Sequence, residues 1–164
     1  MLNWLKKVKK EDGFTLVELM VVVIILGILA AIIVPNFLNR AETARENATI
    51  SSLKAMKAAI DIWASDPAGG NGTYPSSKAT STELTDALSA SKITWSGARD
   101  AWGRAFYYKA KEDVDDPSGY LLYSAGKNGT ENDADDIYCT ESKQPNKGAI
   151  SGAGTYVGNK LSST

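Results

Sequence analysis

KKEDGFTLVELMVVVIILGILAAIIVP, Lys9 to Pro35, is the stretch that decides the fold. From Phe14 to Val34 it runs 21 residues with one charge, Glu18. As an α-helix that run would be about 31 Å long, close to the roughly 30 Å of a bilayer's hydrocarbon core. It is long enough to cross a membrane once. Lys6, Lys7, Lys9 and Lys10 precede it against Glu11 and Asp12. Basic flanks stay on the cytoplasmic side, so the N-terminus is expected to face inward and the rest of the chain outward. A secretory signal peptide also has a basic start, but its apolar core is only about 7 to 15 residues and ends at a small-residue cleavage site. This run instead passes through Pro35 into a patterned helix.

Glu18 is the anomaly. An acid at the centre of a spanning helix costs about 2.5 to 3.5 kcal/mol. Thr15 and Glu18 have capping-box spacing, in which hydroxyl and carboxylate satisfy free N–H groups where the helix dipole favours an anion. A capping box works equally with an uncharged Gln, so the charge itself asks for a cationic partner.

Gly then Phe at 13 and 14, Glu18 five residues into the chain that would remain after a cut between them, and Pro35 closing the apolar run together carry a resemblance. The segment Gly13 to Phe37 resembles the N-terminal signature of type IV pilins and of the related type II secretion pseudopilins. The resemblance implies that a membrane prepilin peptidase cuts between Gly13 and Phe14 and N-methylates Phe14. The new amine would then lie about one helical turn from the Glu18 carboxylate. It could pair within one chain or with a neighbouring subunit, and both readings stand. A buried polar pair of this kind is best attested as a device for setting register. Gly27, Ala30 and Ala31 permit close helix approach, and Pro35 predicts a kink or loosening over residues 31–35. In the resembling filaments a stretch between such a glycine and proline partly unwinds on assembly; plain tolerance in a membrane helix explains Gly27 and Pro35 equally well.

Beyond Pro35 the pattern becomes amphipathic. Phe37, Ala41, Ala44 and Ala48, then Leu53, Met56, Ile60 and Trp63, recur at helical spacing, with Arg40, Glu42, Arg45, Glu46, Lys54 and Lys57 on other faces. One helix is expected from about Thr15 to Ala64. The predicted organisation is a basic leader (1–13), a transmembrane and assembly helix (14–35), its amphipathic continuation (36–64) and a globular head (65–164). The head opens on the turn formers of Ser65 to Ser77. A short helix around Leu84, Ala87 and Leu88, capped by Ser81 or Thr82, follows. Strands are expected at Ile93–Trp95, Ala105–Lys109, Leu121–Ser124 and Ile137–Cys139. The fold class is α+β, type IV pilin-like, with a three- or four-stranded antiparallel sheet against the long helix. The Gly- and Ser-rich end of the chain reads as an edge strand or a flexible tail.

DAWGRAFYY, from Asp100, and YSAGKNGTENDADDI, from Tyr123, resemble the Asp-Pro-Trp-Gly turn and the calcium loop of the major type II pseudopilin. Asn128, Asp133, Asp135 and Asp136, within an acidic loop at 126–136, are the candidate ligands. Hard oxygen donors suit Ca²⁺, which takes six to eight of them. Ala101 replaces the usual Pro, and Asn128 replaces a usual Asp at the cost of one charge. A solvated acidic loop without a metal is the other reading.

Composition disfavours catalysis. There is no histidine, Cys139 is the single cysteine, and neither a P-loop nor a nucleophile–base set is present. No enzyme activity is expected. A net charge of −1 disfavours nucleic acid as a partner, although Lys143, Lys147 and Lys160 near Tyr156 could form a small patch. The expected function is that of a structural pilin of a type IV pilus-like filament, with the major pseudopilin of a type II secretion system as the alternative. A non-polymerising, signal-anchored extracytoplasmic binding module is the reading from a different class. The resemblance implies as partners further copies of the chain, the peptidase, an assembly ATPase and an inner-membrane platform protein. The chain would wait in the inner membrane before joining an extracellular or periplasmic filament.

Overall fold

The computed structural model describes residues 13–78, 82–111, 118–150, 156 and 160–163, the side chains of Pro35 and Asn36 excepted. Most of the expected leader, and Ser81 as a helix cap, lie outside these residues. The chain divides into two units, Met1–Ala41 and Glu42–Thr164, and helix α1, Leu16–Ser65, contributes to both.

In the first unit α1 is apolar on every side from Leu19 to Val34, and the side chains described from Phe14 to Val34 are all exposed. A helix without a polar face has no soluble solution on its own, and α1 is the one helix among the described residues long and apolar enough to cross a membrane. The helix continues through Pro35, so the expected loosening over residues 31–35 does not interrupt it.

The second unit is the head. Leu53, Met56 and Ile60 of α1 are buried as their spacing predicts, joined by Ala59 and Ala64, whereas Ala44 and Ala48 are exposed. Two polar residues go in with them. Thr49 is fully buried and its Oγ1 accepts the Ala101 N–H at 3.2 Å. Lys57, expected on a solvated face, is also buried.

Helix α2, Glu83–Ala90, buries Leu84, Ala87 and Leu88. Thr82 stands at its N-cap but makes no side-chain cap bond; its hydroxyl donates to Asp86 at 3.0 Å instead. Strands β1 (Phe106–Ala110), β2 (Tyr120–Ser124), β3 (Ile137–Thr140), β4 (Asn146–Lys147) and β5 (Leu161–Ser162) form one antiparallel sheet in the order β4-β3-β2-β1-β5. The sheet thus has five strands, because two short edge strands come from beyond the aromatic runs. The Ile93–Trp95 segment is not one of them. Ile93 N–H closes the end of α2 on Leu88 O, and Trp95 O accepts Ala98 N–H in a turn, so the backbone there is committed elsewhere.

Alternation along the strands gives the sheet two apolar faces. Phe106, Tyr108, Tyr120, Leu122, Ile137 and Cys139 pack with Leu53, Met56, Ile60, Leu84 and Leu88. Leu121, Tyr123 and Tyr138 face the other way, with Ile150, Tyr107 and Tyr156. Both faces being covered explains why β2 and β3 are buried at every position. The chain end is pinned by Ser163: its Oγ accepts Phe106 N–H at 2.9 Å and donates to Ala98 O at 2.6 Å. The last described residues are therefore an edge strand.

Candidate functional site: the N-terminal segment and the acidic loop

Gly13 and Phe14 precede the first turn of α1, both exposed, and a side chain at Gly13 would meet nothing within 4 Å. A peptide bond in such open, non-helical backbone is accessible to a protease. The capping box forms. Thr15 N–H and Oγ1 donate to Glu18 Oε2 at 2.9 and 2.7 Å, and Glu18 N–H donates to Thr15 Oγ1 at 3.2 Å. Glu18 is thus satisfied locally, on an exposed helix start. Gly27 also faces open space.

In the head the acidic loop grows from the end of β2. Gly126, at φ +57°, lets the two ends of the loop touch, since a Cβ there would lie 2.2 Å from Asp135 O. Any side chain at this position would push them apart. One carboxylate oxygen from each of Asp133, Asp135 and Asp136 lies within 4.8 Å of the others. Asp136 is fully buried; its Oδ2 accepts Asn132 N–H at 2.6 Å and Asp133 N–H at 3.1 Å. Its Oδ1 is buried with no hydrogen-bond partner among the described residues. Burial holds the Asp136 carboxyl above the usual range, against those two N–H bonds and with repulsion from Asp133 and Asp135 adding to it. Asp133 is held below the range by hydrogen bonding to Asp135 and Asn128.

Asn128 joins the cluster through its hydrogens. Its backbone N–H donates to Asp135 Oδ2 at 3.0 Å and its amide to Asp133 Oδ2 at 2.6 Å, while its side-chain oxygen accepts Thr130 N–H at 2.6 Å. Of the four candidate ligands, three carboxylates converge and Asn128 braces two of them. Glu131 is directed away, bonded to Tyr123 OH at 2.9 Å and paired with Lys160. A buried carboxylate oxygen without a partner, beside two further carboxylates, is a donor set that fits a hard divalent cation.

Sequence reasoning missed the residues that carry this loop. Asp100 is buried; its Oδ1 accepts Trp102 N–H at 3.0 Å and Arg104 N–H at 2.8 Å, and its Oδ2 accepts Ser124 OH at 2.6 Å. Glu42 of α1 accepts Trp102 Nε1–H at 2.8 Å and pairs with Lys127 at 3.8 Å. Lys147 in β4 pairs with Glu46. The position of Asp100 in the turn was the only available signal, since the contacts reach 24 residues along the chain from Asp100 to Ser124 and 60 from Trp102 to Glu42. The lysines considered for nucleic acid are engaged elsewhere: Lys143 on Tyr138, Lys147 on Glu46 and Lys160 on Glu131.

Comparison with known proteins completes the assignment. The prokaryotic N-terminal methylation motif matches residues 8–34, and the type II secretion system protein G model matches residues 36–140. The chain belongs to the type II secretion system protein G family. It is 32% identical over 142 residues to a type II secretion system core protein G of Vibrio cholerae, covering 81% of this chain and 94% of that one. A core protein G of Pseudomonas aeruginosa is 37% identical, with 77% of this chain and 94% of the relative covered. The corresponding protein of Escherichia coli K12 is 29% identical, with shares of 78% and 90%. No solved structure is a significant match. Membership makes the chain a pilin-like, structural subunit, and its motif and apolar helix fit anchoring in the inner membrane. The family match stops at 140, so β4 and β5 lie beyond it.

Proposed function

We propose that this protein is the major pseudopilin of a type II secretion system, held in the inner membrane with its N-terminus in the cytoplasm until it is cut between Gly13 and Phe14, methylated, and added to a periplasmic pseudopilus. The observation that carries the reading is the match of residues 36–140, which cover most of the head, to protein G, on a chain whose α1 exposes an apolar surface from Leu19 to Val34. Such a surface is stable only in lipid or against identical helices, so leaving the bilayer and joining a helical bundle are one step. Glu18 gives that step its register by pairing with the amine of Phe14 on a neighbouring subunit. The free space around residues 13–18 and the existing Thr15 bonds support this, since the carboxylate is pre-oriented before its partner arrives. The prepilin peptidase, assembly ATPase and platform protein are the proposed partners.

The acidic loop is proposed to hold one Ca²⁺ through Asp133, Asp135 and Asp136, with backbone carbonyls and water completing the shell. The cation would neutralise three clustered carboxylates and supply the missing partner of Asp136.

The test is complementation of a strain lacking the chain, scored for exported protein in the medium and for surface filaments. The wild-type chain should restore export, with Phe14 as the recovered, methylated N-terminus. Glu18→Ala should insert in the membrane yet restore neither filament nor export. Restored surface filaments without export would place the protein in a pilus. A functional Glu18→Ala chain would sink the pairing role.

A further inference from the structure

Arg104 follows the turn at Asp100, two residues before β1, and its side chain reaches the acidic loop. Its Nε donates to Gly126 O at 3.0 Å and its Nη2 to Lys127 O at 2.6 Å. The guanidinium plane lies against Gly129, where φ is +77° and an added Cβ would stand 2.5 Å from Nη1. Three residues of the loop's first turn are thus fixed by one side chain. The same turn carries Asn128, whose backbone and side-chain N–H groups hold Asp135 and Asp133. Asp136 is held separately, by the Asn132 and Asp133 N–H groups on its carboxylate and by Gly148 N–H on its carbonyl at 2.9 Å. Arg104 is itself anchored, because Asp100 Oδ1 accepts its backbone N–H and Asp100 Oδ2 accepts Ser124 OH.

We propose that Arg104 is the positioning residue of the acidic loop: by clamping residues 126–129 it sets Asp133 and Asp135 beside Asp136, so that the three carboxylates can share a divalent cation. This rests on the cation reading above and goes beyond it, because Arg104 supplies no ligand atom. A planar fork is suited to two neighbouring carbonyls in a way that a lysine's point charge is not. Without the clamp, ordering of the loop falls on the binding step and affinity drops accordingly.

The experiment uses the full chain in detergent micelles, stripped with EDTA and titrated with CaCl₂, following both heat of binding and melting temperature. Arg104→Gln should raise the Ca²⁺ dissociation constant by about tenfold, the order expected when a glutamine amide keeps at most one of the two guanidinium–carbonyl bonds. Its melting temperature in EDTA should stay within a few degrees of wild type. Arg104→Lys should fall between the two. A purely structural arginine would lower both melting curves together and leave the dissociation constant unchanged, which overturns the proposal. Tighter binding by Arg104→Gln overturns it too, since charge repulsion would then outweigh positioning. Wild type that ignores millimolar Ca²⁺ removes the cation reading itself, whereas an undiminished response in Arg104→Gln removes only the role of Arg104.

Discussion

Replacing Lys57 with Met should unfold the head at markedly lower temperature, although the substitution sits on a helix and keeps most of the apolar stem. Lys57 Nζ donates to Thr140 O at 2.8 Å and Glu141 O at 3.0 Å, the backbone just where β3 ends, and lies 3.1 Å from Asp61 Oδ2. Its side chain is 6% exposed, while that of Asp61 is 39% exposed. The Asp61 pair is therefore partly screened and contributes about 0 to 1 kcal/mol. The two carbonyl bonds involve a charged donor, worth about 1.5 to 3 kcal/mol each. Thr140 O keeps a second donor in Lys143 N–H at 3.3 Å, which favours the lower end. The expected loss is about 3 kcal/mol, a large share of the roughly 5 to 15 kcal/mol that stabilises a domain. At about 4 to 8 °C per kcal/mol for a domain near 100 residues, melting should fall by about 12 to 24 °C. The assay is near-ultraviolet circular dichroism of the full chain in detergent, with Lys54→Met as control. Lys54 is exposed, and surface changes stay within about 0.5 kcal/mol. Equal melting temperatures for the two variants would refute the assignment of Lys57 as the bolt between α1 and β3.

Cys139 is fully buried in β3, on the face of the sheet that packs with α1 and α2, and burial pushes its thiol up to about 12, so the native protein at pH 8 should not react with a thiol-specific disulfide reagent. One equivalent should react once guanidinium unfolds the head, and rapid native labelling would show that this part of the sheet opens. Ser163→Ala removes an acceptor for Phe106 N–H and a donor to Ala98 O, both in buried or half-buried surroundings. It should cost about 1 to 3 kcal/mol, and amide exchange at Phe106 should accelerate more than at Leu122 in the sheet centre. Equal exchange at the two amides would mean that the chain end does not hold the sheet edge.

The long helix was legible because uniform apolarity over a membrane's thickness, then an amphipathic repeat, leaves few alternatives for one backbone. The three main strands were legible for a related reason. The aromatic runs at Phe106 and Tyr120 suit a pleated surface and are separated by turn-prone residues. The acidic loop could be found from charge density alone. Its convergence could not, since which carboxylates meet depends on Gly126 meeting the Asp135 carbonyl and on Asn128 turning its hydrogens inward. The tail could be read only as an edge strand or a flexible tail, and neither edge strand could be placed, because two-residue strands carry no periodicity of their own; pairing with β1 and β3 defines them.

Lys57 and Arg104 mark the same boundary. In the sequence each is a lone basic residue in an amphipathic or turn segment, with nothing in its immediate neighbours to set it apart from Lys54 or Arg99. By itself the sequence determined the membrane-length helix, the processing signature at Gly13 and Phe14, the charge at Glu18 and the family of the head, because these depend on residues close together along the chain. Only the tertiary structure decided that Lys57 is buried and Arg104 half-buried, and what each of them holds. Lys57 meets a carbonyl 83 residues away and Arg104 one 22 residues away, and such contacts exist only after the sheet has closed on the helix and β1 has paired with β2, respectively.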